Sequence, residues 1–441
     1  MSTSVNRWTM LVPLVTLFFA FSSAAQTTLG NSGVVFEGGE FRVNSYFPDN
    51  QGFPRLAMSR GGRVLVAWES IGQDGDQAAV AAQLFAADGA PLGPEFIVNT
   101  ETASVQSQPT VAVSPDGSFV VFWRSRDQDG SDFGVFGQRF DADATPTGGE
   151  FQVNEYTERG QTDPFSAFDG AGNLMVAWES DEQPLDDGPQ PSVLAGEIYG
   201  RIYNAAGQSS PEFRINTTSQ SWQNEVKMAG LQDGFVAVWE SRDVDSDWRA
   251  VVFQRYASDG TPLGGEQQVN QTEPHSQHNA AIGSDTDGVF AIAWENDYSS
   301  FPSDSDTRVP DVMARIYTAD GTPLTDELRI NQNTAGDQQN LDVAADGRGG
   351  FVVVWEGPAP GGDDREIWAR RILKTGEFVG DEFRLNATTN NFQRYPAISG
   401  DHDGRLLVVW HSFVGDRDPL SVAGRFLTVP VMFSDGFEVK N

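Results

Sequence analysis

Acidic loops carry the residues of this chain that are best suited to chemistry. The two candidate calcium-binding clusters are Asp243, Asp245 and Asp247, and Asp127, Asp129 and Asp132. Carboxylates at alternate positions can converge on Ca²⁺, which takes about six to eight oxygen ligands. Neither cluster has both the central glycine and the distal glutamate of an EF-hand loop. Because aspartate also favours tight turns for local reasons, the sequence leaves calcium binding and solvated turns as alternatives.

Two tryptophans near the first cluster are candidates for ligand binding. Trp222 and Trp248 fall in two polar loops of the same stretch of chain, and Arg249 follows directly. An exposed indole with polar neighbours suits stacking on a sugar ring or a hot spot for a protein partner. The alternative is that both rings pack against neighbouring structure. We therefore take Trp222, Trp248 and Arg249 as the predicted binding residues.

Signatures of catalysis are sparse. The acidic loops could supply the paired carboxylates of a glycosidase, but they recur along the whole chain and no single pair stands out. The sequence has no serine nucleophile elbow, and the absence of cysteine excludes disulfides and thiolate chemistry. His275 and His278 could touch a metal, but no third ligand is evident, so a polar surface loop is the favoured interpretation.

These residues are set in a repeat that occurs seven times. Each copy contains a short strand-like motif that begins with glutamate and ends with asparagine, as in Glu40–Asn44 (EFRVN). The glutamates are Glu40, Glu95, Glu150, Glu212, Glu266, Glu327 and Glu382, and the asparagines are Asn44, Asn99, Asn154, Asn216, Asn270, Asn331 and Asn386. Seven residues after each asparagine stands a glutamine, and a tryptophan follows in step: Trp68, Trp123, Trp178, Trp239, Trp294, Trp355 and Trp410. Such regular internal similarity indicates a repeat architecture.

The second copy shows what one repeat encodes. Its predicted strands are Pro109–Ser114, Ser118–Trp123, Phe133–Phe140 and Glu150–Asn154. The turn between the first two contains Asp-Gly, a common hairpin signal, and the second strand is apolar enough to be buried on both faces. No segment has sustained helical periodicity. Four short antiparallel strands in each of seven copies predict an all-β fold, a seven-bladed β-propeller.

The ends of the repeat series predict how the ring closes. The chain opens with a lone fourth strand, Glu40–Asn44, and closes with three strands near Tyr395–Ser399, Arg405–His411 and Ser421–Leu427. The first segment can complete the last blade and leave no open edge in the ring. We expect the seven tryptophans to form the core between blades and the glutamines to satisfy backbone groups between blades or to line the mouth of the channel. Insertions in copies three and five fall at Ser180–Leu194 and Asn296–Pro310, which places variation on one face.

The N-terminal segment predicts export. Arg7 is the only charge before an apolar run that ends at Phe21, and small residues follow up to Ala25. This is the pattern of a secretory signal peptide. The predicted division is 1–25 signal peptide, 26–39 lead-in, 40–428 propeller and 429–441 tail. We expect a secreted or cell-surface protein, with the periplasm as the alternative, and no insertion in a membrane.

Charge limits the choice of partners. The chain has 62 acidic residues against 29 lysines and arginines, a formal net charge of −33. Such a protein repels phosphate backbones, so nucleic acid is excluded as a partner class. Extracellular glycans or proteins remain as predicted partners, and we expect a monomer.

The repeat also resembles a known type. The pattern EFxVN…Gln…Pro…DGxFVVxWES…DG…QRFDADGxPLG is similar to repeats of large secreted proteins of Gram-negative bacteria and cyanobacteria, many of them adhesin-like. The resemblance spans about residues 36–428. Some of those proteins carry calcium-binding glycine-aspartate nonapeptides, which this chain lacks. The tail motif Phe433–Glu438 resembles a short terminal motif of exported gammaproteobacterial proteins. The resemblance implies a propeller without known enzymatic activity.

Three functions follow as hypotheses. The first is an exported, non-enzymatic propeller that binds a glycan or a protein outside the cell. The second is a carbohydrate-active enzyme, a glycosidase or lyase, that uses loop carboxylates of copies three to five. The third is a calcium-stabilised structural module. An enzyme should show carboxylates from different blades converging beside one cleft, and a uniform ring should not.

Overall fold

The computed structural model shows a seven-bladed β-propeller in which every blade is a four-stranded antiparallel sheet. It describes residues 32–181, 183, 196–218, 222–242, 244, 249–271, 276–297, 310–362, 364–389, 392–413 and 420–431. These residues contain strands, turns and loops but no helix, and accordingly no helix that could cross a membrane. The predicted fold class is confirmed.

Within blades one to six the strands run outward from the axis in chain order, and in blade seven the N-terminal strand is the outermost. Blades one to three comprise β2 (Gln51–Met58), β3 (Val64–Ile71), β4 (Ala78–Phe85) and β5 (Phe96–Ile97); β6 (Gln106–Val113), β7 (Phe119–Arg126), β8 (Phe133–Phe140) and β9 (Phe151–Gln152); and β10 (Gln161–Phe168), β11 (Leu174–Ser180), β12 (Glu197–Tyr203) and β13 (Phe213–Arg214). Blades four and five comprise β14 (Gln223–Leu231), β15 (Gly234–Arg242), β16 (Arg249–Tyr256) and β17 (Pro262–Gln268); and β18 (Gln277–Ser284), β19 (Phe290–Asn296), β20 (Asp311–Tyr317) and β21 (Leu328–Arg329). Blades six and seven comprise β22 (Gln339–Ala345), β23 (Gly350–Pro358), β24 (Arg365–Leu373) and β25 (Phe378–Arg384); and β26 (Gln393–Gly400), β27 (Arg405–Ser412), β28 (Ser421–Thr428) and β1 (Val35–Arg42).

Blade seven closes the ring with the N-terminal strand, as predicted. The antiparallel pairing of β1 with β28 sets Val35 opposite Thr428 and Arg42 opposite Ala423. The strand begins earlier than Glu40 because residues 35–37 also pair with β28, before a register shift between Glu37 and Phe41. No blade is therefore left with three strands, and the ring has no open break.

The repeated asparagine ties each outer strand to its blade. All seven asparagines are buried, and each accepts a hydrogen bond at Oδ1 from a backbone N–H near the start of the third strand. The donors are Val80, Val135, Ile198, Val251, Val312, Ile367 and Val422, at 2.8–3.1 Å. Because a buried N–H without a partner is costly, this contact explains why the motif ends in asparagine in every copy.

The repeated glutamate joins neighbouring blades. Its carboxylate accepts a hydrogen bond from the backbone N–H that follows the outer strand of the preceding blade. The donor and acceptor pairs are Ser45–Glu95, Thr100–Glu150, Glu155–Glu212, Thr217–Glu266, Gln271–Glu327, Gln332–Glu382 and Ala387–Glu40. The last pair joins blade six to the N-terminal strand, so the set of contacts runs around the whole ring.

The repeated tryptophans form the core, as predicted. All seven have no exposed surface, and each lies in an apolar cluster shared by two blades. In blades one, four, six and seven the indole N–H donates to the glutamine Oε1 at 2.9 Å. Since a buried indole N–H needs an acceptor, the glutamine is structural here, in agreement with the prediction.

The two faces of the disc differ. The connections from strand two to three and from strand four to the next blade lie on one face, which we call the loop face. The hairpins between strands one and two and between strands three and four lie on the other, the turn face. Near the turn face the inner strands approach closely. A Cβ placed on Gly230 of blade four would lie 1.8 Å from the carbonyl oxygen of Phe168 in blade three.

Candidate functional site

The two described binding residues of blade four lie on either side of Arg242, whose N–H donates to the Trp222 carbonyl at 3.1 Å and which pairs with Arg249 across the sheet. Trp222 lies on the loop face with 41% of its surface exposed, and its ring borders Gly196, where a Cβ would come within 3.3 Å. Arg249 instead pairs with the buried Glu240, with Nη1 2.8 Å from Oε2. Trp248 lies outside the described residues. Trp222 therefore keeps a surface for a ligand, whereas Arg249 serves an ion pair within the blade.

The predicted calcium clusters have different outcomes. Asp243, Asp245 and Asp247 lie outside the described residues. Of the second cluster, Asp129 accepts hydrogen bonds from Asn154 Nδ2 at 3.1 Å and from the Ser131 N–H at 3.2 Å. Asp127 and Asp132 each lie within 4 Å of Arg126. Across the described residues no three His, Asp or Glu side chains are grouped to hold a metal ion, so calcium binding stays a prediction.

The HSQH segment also differs from a metal site. His275 is among the residues that are not described, and His278 lies between two carboxylates. Its Nε2 is 3.2 Å from Asp297 and its Nδ1 is 3.6 Å from Glu295. Burial opposes the charged form of His278, but the Asp297 hydrogen bond and the Glu295 charge raise its pKa to about 9. This side chain is a cation held by acids.

One ring of side chains at the loop-face end of the axis is unlike the rest of the repeat. Two residues after each repeated glutamine, a residue other than glycine adopts positive φ. These residues are Phe53, Gln108, Asp163, Glu225, Asn279, Asn340 and Tyr395, with φ between 49° and 56°. We call this ring the channel mouth. Such backbone is strained for these side chains and needs support from its surroundings, and the residue type changes from blade to blade.

The residue after each core tryptophan supplies that support in most blades. The carboxylates of Glu69, Glu240 and Glu295 accept the backbone N–H of the mouth residue in the next blade, at 2.6–2.7 Å. Glu179 does the same for the N–H of Glu225 at 2.5 Å. These contacts bring carboxylates from several blades to one end of the axis. They lie at strand ends and not in the loops where the sequence suggested them.

An aromatic group forms one side of the mouth. Phe53 of blade one, Tyr395 of blade seven and His411 of blade seven contact one another, with ring centroids 4.9–5.2 Å apart. Phe53 is 43% exposed. Burial, together with the charges of Arg55 and Arg394, lowers the pKa of His411 to about 3, so this ring is neutral. The group offers an open aromatic surface.

An acidic group forms the opposite side, in blades three to five. It contains Asp163, Glu179, Glu225, Glu240 and Glu295. Burial, reinforced by the Asp163 charge, raises the pKa of Glu179 to about 8, and burial raises that of Glu295 to about 7. Burial also raises the pKa of Asp163, whose carboxylate accepts from Gln108 Nε2. The raised pKa values of Glu179 and Glu295 favour their protonated forms near neutral pH, and a protonated carboxyl group both donates and accepts hydrogen bonds.

A cavity of about 320 Å³ lies on the axis, lined by inner strands of all seven blades. That is within the usual range of ligand pockets, roughly 300–1,000 Å³. Its lining includes Tyr395, Asn279 and Asn340 of the mouth and three charged side chains, Arg55, Lys227 and Asp342. The mouth and the cavity together bring charged, aromatic and amide side chains of different blades to the axis.

The sequence alone did not single out this site. The position two residues after the repeated glutamine is occupied by Phe, Gln, Asp, Glu, Asn, Asn and Tyr in the seven copies. The residue before it also differs in every copy, so its variability does not stand out from its surroundings. Only the positive φ of the folded chain distinguishes the position.

Comparison with known proteins supports the fold and goes no further. No protein-family model matches the chain, and no curated protein matches it in sequence. Among solved structures, a protein of unknown function from Dyadobacter fermentans is 12% identical, with a TM-score of 0.50 over 90% of this chain and 99% of that one. Hydrazine synthase of Kuenenia stuttgartiensis is 12% identical, with a TM-score of 0.51 over 83% and 94% of the two chains. The alpha-L-arabinanase of Penicillium chrysogenum is 12% identical, with a TM-score of 0.47 over 88% and 98%. The similarity to the first two structures, with TM-scores of 0.50 and 0.51, concerns the fold alone, and function is argued from the site.

Proposed function

We propose that this protein is an exported binding module and that its site for a glycan is the channel mouth with the cavity beneath it. The observation that carries the proposal is the asymmetry of the mouth: an open aromatic group on blades one and seven faces hydrogen-bonding carboxyl groups on blades three to five. Sugar recognition uses this combination, an aromatic face for the apolar side of the ring and polar groups for its hydroxyls.

Burial favours binding over catalysis at this site. Glu240 and Glu295 are almost fully buried, and they are engaged by backbone N–H groups of the next blade. In that position Glu240 and Glu295 support the mouth and do not form a catalytic pair, whereas Glu179, which makes the same contact with the Glu225 N–H, is less buried. The ligand is therefore held by the exposed Phe53, by Tyr395 and by the amides of the mouth.

The test is a glycan screen followed by calorimetric titration of the best ligand. Phe53→Ala should weaken binding about fivefold, because stacking on an aromatic ring is worth about 1 kcal/mol. Phe47→Ala is the matched control, since Phe47 is 56% exposed but does not belong to the mouth. Trp222→Ala distinguishes the two candidate surfaces. Loss of binding in Trp222→Ala with no change in Phe53→Ala would move the site to the outer loop face and contradict the proposal.

A second function, hydrolysis of a glycan, is favoured by one observation. Glu179 has its pKa raised to about 8 beside Asp163, and a protonated acid next to a second carboxylate is the pair that glycosidases use. The test is release of reducing ends from a panel of polysaccharides by the wild type and by Glu179→Gln. Product formation that Glu179→Gln abolishes would establish the enzyme. No product from any substrate would leave the binding function alone.

A further inference from the structure

We propose that the axial cavity binds a carboxylate group, so that the ligand of the channel mouth is an acidic sugar of the uronic acid class. This inference rests on the proposed glycan-binding function and names its ligand. Its basis is a pair of cationic side chains, Arg55 of blade one and Lys227 of blade four, that line the cavity.

Neither cation is paired within the described residues. Arg55 donates to the carbonyl oxygen of Pro54 at 3.1 Å, and Lys227 Nζ lies 5.4 Å from the ring centroid of Phe165. No described carboxylate lies within ion-pair distance of either side chain. Cations in a cavity are costly to leave uncompensated, so this pair provides a site for an anion.

The one carboxylate that lines the cavity is already engaged. Asp342 accepts the backbone N–H of Ile398 in the next blade at 2.9 Å and that of Val343 at 2.9 Å. It lies close enough to both cations for each to act on its pKa, which burial nevertheless raises. Asp342 therefore serves the joint between blades six and seven, and the lining of the cavity carries two cations against this one engaged acid.

The aromatic group lies next to these cations. Tyr395 lines the cavity and its ring contacts Phe53 at a centroid distance of 5.2 Å. A pyranose that stacks on this aromatic surface can direct a carboxylate on its ring inward toward Arg55 and Lys227. The opposite carboxyl groups of Glu179 and Asp163 then meet the hydroxyls as hydrogen-bond partners.

The overall negative charge does not prevent this. Exposed charges are screened beyond roughly 8 Å at physiological ionic strength, whereas charges inside a cavity are screened much less. The acidic surface slows the approach of an anion, and the cavity determines its affinity.

The experiment is a calorimetric titration of the mature protein with glucuronate and galacturonate, with glucose and galactose as neutral counterparts and acetate as a carboxylate without a sugar ring. The variants are Arg55→Met and Lys227→Met. Arg42→Met is the control, because Arg42 is an exposed cation at the outer edge of the disc and its loss changes the net charge equally. We expect each uronate to bind at least tenfold more tightly than its neutral counterpart, and each cavity variant to remove that preference while Arg42→Met keeps it.

A measurement without variants tests the same point. Raising NaCl from 50 to 500 mM should weaken uronate binding several-fold and leave neutral sugars unaffected. Equal affinity for uronates and neutral sugars, with binding that still depends on Phe53, would overturn this inference and keep the proposed function. Uronate and acetate binding that depends on Lys227 but not on Phe53 would keep the anion site and overturn glycan stacking. Binding of none of the five probes would overturn both.

Discussion

The asparagine that ends the outer-strand motif makes a prediction about how the ring is held closed. Asn44 Oδ1 accepts the N–H of Val422 at 2.8 Å across 378 positions of sequence, and its Nδ2 donates to the carbonyl of Tyr46 at 2.8 Å. Asn99 makes the same bond to Val80 at 2.8 Å across only 19 positions. The two sites share the Oδ1 contact, although Asn99 also donates to Asp74 Oδ2 at 3.0 Å. One contact closes the ring and the other lies within one blade.

The expected loss follows from the buried donor. Asn44→Ala leaves the N–H of Val422 without an acceptor inside the blade, which costs about 1–3 kcal/mol. The carbonyl of Tyr46 can turn to water and adds little. We therefore expect a loss of about 2 kcal/mol in the free energy of unfolding, a large share of the roughly 5–15 kcal/mol of a typical protein. Asn99→Ala should lose a similar amount because the local contact is the same.

Two assays measure the loss of stability and show which strands it affects. Urea unfolding followed by tryptophan fluorescence gives the change in stability, because the seven core tryptophans report on every blade. Hydrogen exchange then locates it: Asn44→Ala should accelerate exchange in β1 and β28, and Asn99→Ala in β4 and β5. A loss below about 0.5 kcal/mol at either position, or equal exchange in both variants, would refute the assignment of asparagine as the clamp of the outer strand.

Three further predictions concern the axis and the loops. Gly230→Ala places a Cβ 1.8 Å from the Phe168 carbonyl, so we expect a loss of about 3 kcal/mol or failure to fold, measured by thermal unfolding; an unchanged melting temperature would contradict the close approach. Glu179 has a folded-state pKa of about 8 against an ordinary 4.5, so its protonated form stabilises the fold at acid pH and that contribution is lost as pH rises from about 4.5 to 8. Glu179→Gln should flatten the fall of the melting temperature across this window, and an unaltered pH profile would exclude the shift. Because Asp129 is engaged within its own loop, we expect Ca²⁺ and EDTA to give the same melting temperature, whereas a rise with Ca²⁺ would assign metal binding to residues 243–247.

The fold was predictable because the same contacts recur in every blade. The tryptophan fills the space between blades, the glutamine serves its indole N–H in several of them, and the glutamate and asparagine hold the outer strand. A residue that meets the same requirement seven times leaves a periodic trace in the sequence. The bounds were less accurate: the outer strand predicted at Glu150–Asn154 is only Phe151–Gln152 in the structure, because Asn154 leaves the ladder to bind the third strand with its side chain.

The candidate site was not predictable in the same way. Its residues come from different blades, one or two from each, and nothing in the chain order shows that Phe53 and Tyr395 meet or that both oppose Glu179. The acidic loops were predicted to be sites because their closely spaced aspartates are visible in the sequence. In the structure the described aspartates of these loops cap turns and pair with arginine. Arg249 was expected to bind a ligand and instead pairs with Glu240, whose burial cannot be read from the sequence around it.

The pairing of Val35 with Thr428 places the two ends of the described chain on the same face of the disc. Both residues lie at the turn face, where β1, the first strand of the described chain, begins beside the end of β28, the last one. A tag, a linker or a neighbouring domain joined at either end of the described chain therefore leaves from the side opposite the channel mouth. A molecule immobilised through one terminus exposes the mouth to the medium, and two such molecules joined end to end present their mouths in opposite directions.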